Sequence, residues 1–136
     1  MGTVHVVNMI PASLSRETKQ DSEPNLAVNP EHPTDIVATA FTPAPMGGAF
    51  APIYVSTDGG NTWELRTVVP GNDSLVGTHD ITIGFATSGG VLYAGILNGQ
   101  TSQMQILRTS SFTSTTAMTV IGPPRISPGS SPEAWS

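Results

Sequence analysis

Apolar residues in this chain fall into short runs rich in β-branched and aromatic side chains, each closed by Pro, Gly, Asn or Ser/Thr. That pattern predicts strands joined by turns. The predicted strands are Thr3–Met9, Asn25–Asn29, Asp35–Phe41, Pro52–Ser56, Trp63–Val69, Ile81–Thr87, Val91–Leu97, Gln103–Thr109 and Ala117–Ile121. Asp35–Phe41 is almost continuously apolar, which suits burial on both faces. Trp63–Val69 alternates, with Trp63, Leu65, Thr67 and Val69 expected on one side and Glu64, Arg66 and Val68 on the other. The chain has 12 Pro and 14 Gly in 136 residues, which argues against long helices.

After an N-terminal strand and connection (1–20), the strands form two sets of four, at 21–69 and 78–121. A Pro-rich stretch follows at 122–136, expected to be a tail or the start of an incomplete third unit. Val28 and Ile83 are 55 residues apart, as are Val37 and Leu92, while Ser56 and Thr109 are 53 apart. Four strands per repeat at this spacing predict radial four-stranded blades. Two consecutive meanders in a sandwich would give the same strand count.

Composition removes several functional classes. Charged residues are only 11%, with 14 Ser and 17 Thr filling the gap, so the polar surface is largely hydroxyl rather than ionic. The net charge is −5 with no basic cluster, which excludes a phosphate-tracking nucleic-acid surface. Cysteine is absent, so neither a disulfide framework nor a thiolate metal site is available. No segment approaches the roughly 20 apolar residues of a helical membrane span. Residues 1–10 lack the charged start and apolar core of a signal peptide, so none is expected here, and the compartment stays open.

The most informative stretch is Ser56-Thr57-Asp58-Gly59-Gly60-Asn61-Thr62-Trp63, between the third and fourth strands of the first unit. Asp58 can accept hydrogen bonds from amides just beyond it, as in an Asx-turn. Gly59 and Gly60 suit positive φ. Ser56 and Thr62 can bond across the turn, and Trp63 can lay its ring over neighbouring strands. These are structural tasks that require no ligand.

The spacing Ser-x-Asp-x-Gly-x-Thr-Trp, met by Ser56, Asp58, Gly60, Thr62 and Trp63, resembles the Asp-box (BNR repeat) of sialidase-like β-propellers. Asn25-Leu-Ala-Val-Asn-Pro30 followed by Asp35-Ile-Val-Ala38 is similar to the opening blade of bacterial proteins of that family. The resemblance covers roughly Asp21 to Ile121. In the second unit the aligned window Thr109–Thr116 lacks the Asp, Gly and Trp and looks like a degenerate box. The implied fold is all-β: two four-stranded antiparallel propeller blades plus an N-terminal strand. Two blades cannot close a ring, so the resemblance implies either part of a longer chain or a ring completed by association of copies. It also favours an extracellular or cell-surface setting and a glycan or protein ligand.

The family's enzymes hold a sialic acid carboxylate with an arginine triad and use a tyrosine nucleophile with a glutamate partner, plus an acid/base aspartate. Here Arg66 and Arg108 fall inside strands. Ser22-Glu23-Pro24 stands where the family's first arginine motif belongs, and Tyr54 and Tyr93 lie in strand runs suited to ring packing. No catalytic residue transfers, and the chain alone is not expected to be an enzyme. The implied function is a non-catalytic scaffold or glycan/protein-binding surface. The alternatives are a glycoside hydrolase fragment with its catalytic residues elsewhere, and a self-assembling lectin-like ring. Asp21, Glu23, His79 and Asp80 precede the first strand of each unit, and the resemblance implies that such loops form the ligand rim, opposite the Asp-box. Glu23 and Asp80 have the chemistry for acid/base work or for Ca²⁺. The plainer reading, solvated loop carboxylates with no cofactor and no metal, outweighs it.

Overall fold

The computed structural model describes residues 2–10, 22–41, 51–69, 78–98, 102–115 and 118–121. The predicted linker and tail at 70–77 and 122–136 lie outside them. The described residues contain no helix and form two four-stranded antiparallel sheets. The first is a meander of β1 (Ser22–Val28), β2 (Ile36–Phe41), β3 (Ala51–Ser56) and β4 (Glu64–Val69). The second repeats that order with β5 (Thr78–Phe85), β6 (Leu92–Asn98), β7 (Met104–Thr109) and β8 (Thr119–Ile121). The eight strands predicted in the two units are all present, most with ends displaced by a few residues.

The sheets stack through a shared core. Val37, Ile53 and Val55 from the first sheet pack with Ile81, Ile83, Leu92, Ala94, Ile96 and Leu107 from the second. Ala27 on β1 joins this cluster, and the Asn25 Oδ1 atom accepts a hydrogen bond from the Ile83 N–H (3.0 Å). The leading strands β1 and β5 therefore lie side by side, joined by a side-chain-to-backbone bond. The other face of the first sheet buries Ala40 and Tyr54 under Ile10, with Met9, Trp63 and Leu65 around them. Both faces of β2 and β3 are thus covered, which is why Val37, Ala38, Thr39 and Ala40 are all buried.

Three expectations are corrected. The N-terminal strand Thr3–Met9 is not formed: residues 2–8 belong to no strand. A β-branched run becomes a strand only with a ladder to join. Here Val4 and Val6 face solvent, 86% and 88% exposed, and only Met9 and Ile10 contribute to packing. The alternation along Trp63–Val69 is broken because Ile53 pairs with Thr67 while Tyr54 pairs with Leu65, leaving Arg66 as the extra residue of a bulge. Two of the three residue pairs behind the 53–55 spacing, Val28 with Ile83 and Val37 with Leu92, also fail to correspond. With Ser56 matched to Thr109, the ladders match Ile36 with Leu92 and Val28 with Phe85. Val37 then corresponds to Tyr93, and Ile83 to Leu26.

Candidate functional site

The Ser56–Trp63 turn is built around one carboxylate. The Asp58 Oδ1 atom accepts from the Ser56 hydroxyl (2.8 Å) and the Thr62 N–H (2.9 Å), and Oδ2 accepts from the Thr62 hydroxyl (2.7 Å). The Ser56 Oγ atom, itself buried, accepts from the Gly60 N–H (2.9 Å) and, at a longer 3.4 Å, from the Asp58 N–H. Asn61 Nδ2 donates to the Asp58 carbonyl, and Trp63 Nε1 donates to the Gly60 carbonyl (3.0 Å). Gly59 and Gly60 take φ of 75° and 89°, a left-handed conformation that other residues adopt only at a cost. These bonds favour the ionised carboxylate. Chiefly the Thr62 N–H, then the Thr62 and Ser56 hydroxyls, lower the Asp58 pKa from 3.8 to about 2. The Gly59 N–H donates to the Thr34 carbonyl (2.9 Å), tying this turn to the β1–β2 connection.

That connection has its own polar centre. Asn29 is buried; its Oδ1 accepts from the Glu31 N–H (3.1 Å), and its backbone N–H donates to the Asp35 carbonyl (2.9 Å). Asn25 and Asn29 enter the sequence reading only as part of a strand run and of the resemblance, without the hydrogen-bonding roles they have here. The available signal was an amide side chain within or directly after a strand run, where Asn is disfavoured unless it has a partner.

Of the four rim candidates, Glu23, Asp80 and the backbone of His79 lie at the other end of the sheets from the Asp58 turn. Ladder register sets Ser22 opposite Phe41, whereas Val28, Ile36 and Ser56 share a row beside the turn. Glu23 is exposed and sits in a bulge at the start of β1, with φ at 55°. The backbone of His79 lies in a matching bulge at the start of β5, where Thr78 pairs with Asn98 and Asp80 with Leu97. Asp80 is exposed, and Asp21 lies outside the described residues. Two bulged, polar strand starts thus belong to neighbouring strands, as bulges near functional rims often do. Among the described residues no group of three or more His, Cys, Asp and Glu side chains is placed to hold a metal ion. Nor is any helix there long and apolar enough to cross a membrane.

Two open cavities flank the sheets. One of about 350 Å³ lies beside the β7–β8 turn, against Arg108, Thr109, Ser110, Ser111 and Thr119. The other, about 450 Å³, lies between the N-terminal segment (His5, Val7, Met9) and Leu26, Ile36 and Trp63. Arg66 pairs with Glu64 across the bulge of β4, and Arg108 is exposed on β7. No protein-family model, curated protein or solved structure matches this chain.

Proposed function

We propose that this chain is a non-catalytic portion of a sialidase-like Asp-box propeller, serving as a scaffold whose bulged rim presents a glycan- or protein-binding surface. The observation that carries this reading is the Asp58 turn. Ser56, Asp58, Gly60, Thr62 and Trp63 each make a hydrogen bond in a single local network, at the third connection of a four-stranded meander. A second meander stacked on the first supports it, as radial blades would. Because the carboxylate of Asp58 is occupied by turn donors, the box serves the fold. Ligand contacts are assigned to the opposite end, around Glu23, His79 and Asp80. Arg66 is engaged by Glu64, which fits a role without an arginine-lined pocket.

The test is a glycan array probed with the purified chain, alongside hydrolysis of a fluorogenic sialoside. Binding that is lost in Glu23→Ala or Asp80→Ala and kept in Asp58→Ala is expected, with no sialoside cleavage. Cleavage by the chain itself, or binding that depends on Asp58 while the fold survives, would overturn the reading.

A further inference from the structure

The ladders specify which faces of the two sheets meet. Paired residues share a face, so Asn25, Ala27, Val37, Ile53 and Val55 form one face of the first sheet, and Leu26, Val28, Ile36, Ala38, Tyr54 and Leu65 the other. In the second sheet Ile83, Phe85, Leu92, Ala94 and Leu107 share one face, and Thr82, Tyr93, Gly95, Ile106 and Arg108 the other. Ser56 and Thr109 are structural equivalents: each hydroxyl oxygen accepts the N–H two residues on, from Asp58 and Ser111. Ser56 lies on the Leu26–Tyr54 face, but Thr109 lies on the face that meets the first sheet. The sheets therefore do not meet through equivalent faces. The first sheet offers its Val37 face, and the second receives it on the equivalent of the first sheet's Tyr54 face.

Such stacking is heterologous, and it leaves at each end the register equivalent of a face buried between the sheets, with Arg108 standing where the docking face has Val55. The outer face of the second sheet, with Tyr93 and Ile106, corresponds to the buried docking face, with Val37 and Ile53. The outer face of the first sheet, with Leu26, Ile36 and Tyr54, corresponds to the buried receiving face, with Ile83, Leu92 and Leu107. Large apolar side chains remain exposed at both ends: Leu26 (57%) and Val28 at one, Tyr93 (36%), Met104 and Ile121 at the other.

We infer that copies of this chain associate head to tail, the Tyr93–Ile106 face of one copy docking on the Leu26–Tyr54 face of the next as the two sheets do within a chain. The inference deepens the proposed scaffold role but rests on ladder register and the intramolecular interface, so it stands if no glycan is bound. Residues His5–Ile10 overlie the receiving face: His5, Val7 and Met9 stand over Leu26 and Ile36, and Ile10 covers Tyr54 and Ala40. That segment belongs to no strand, so docking displaces it without breaking a ladder but gives up the contact of Met9 and Ile10 with Tyr54 and Ala40. The contact between copies is accordingly weaker than the one within a chain.

The test uses the full chain and two single-face variants, Leu26→Arg and Tyr93→Arg, at positions exposed enough for the fold to tolerate the charge. Sedimentation velocity should show concentration-dependent association of the unsubstituted chain and a monomer for each variant alone. An equimolar mixture of the variants should form a dimer, because each keeps the face the other has lost. Val28→Arg and Met104→Arg repeat the test at independent positions, with circular dichroism confirming the fold. An unsubstituted chain that stays monomeric to its solubility limit overturns the inference. So does a Leu26→Arg chain that still dimerises alone, or a mixture of folded variants that stays monomeric. Loss of glycan binding with association intact would instead count against the proposed ligand rim.

Discussion

The connections β3–β4 and β7–β8 occupy the same place in consecutive meanders and are held in different ways. In the first, Asp58 gathers a hydroxyl from each side and an amide, while Trp63 closes the turn through its indole N–H. In the second, the Thr109 hydroxyl oxygen accepts from the Ser111 N–H and the Ser114 N–H donates to the Ser111 carbonyl, and no carboxylate stands at the position of Asp58. Apolar contact takes over: Phe112 sets its ring edge-on to Phe85, centroids 5.1 Å apart at 88°. The difference teaches that the turn's place is retained by its first hydroxyl, while what fills the turn can change from a charged centre to a ring.

The sharpest way to break this comparison is to remove the aromatic in each turn. Trp63→Ala should cost about 3 kcal/mol, at the low end for a large ring because Trp63 is only half-buried. Phe112→Ala should cost about 2 kcal/mol, from lost burial and the ring pair with Phe85. Equal small losses in urea denaturation would show that neither ring fastens its turn. Asn25→Ala should cost about 1–2 kcal/mol by leaving the Ile83 amide without its acceptor. Slower or unchanged hydrogen exchange at Ile83 in that variant would contradict the link between the sheets.

Asp58 adds a pH dependence that the second turn lacks. Its pKa falls from 3.8 to about 2 on folding, so the unfolded chain takes up the proton first as pH drops. The stability it contributes is present above about pH 4 and is lost as pH falls through 2. Asp58→Asn should lower the melting temperature at pH 7 and shrink that loss between pH 4 and 2. Ser111→Ala, at the matching position of the second turn, should change stability by no more than about 0.5 kcal/mol at any pH.

Much of the fold was legible because it rests on local signals. Pro30, the Ser88–Gly90 turn and the Asp58 stretch bracket apolar runs, and the strands follow. What the sequence hid are the one-residue bulges at Glu23–Pro24, His79 and Arg66, each of which reverses the alternation beyond it. Those bulges make a constant repeat spacing misleading, since equivalent positions drift from one strand to the next. Thr3–Met9 has strand composition without a partner edge, and a ladder is not a property of one segment. At the rim, the residue types of Glu23, His79 and Asp80 could be read in advance. Their backbone geometry could not, because a left-handed glutamate is set by the strand it pairs with.

The central claim is that the sheets stack through opposite faces, and methyl NOE spectroscopy on the folded chain tests it most directly. Cross-peaks are predicted from Val37, Ile53 and Val55 to Ile83, Leu92 and Leu107. Cross-peaks from Val37 and Val55 to Ile106 and Ile121 instead would mean that equivalent faces meet, and would contradict both the stacking and the head-to-tail association drawn from it.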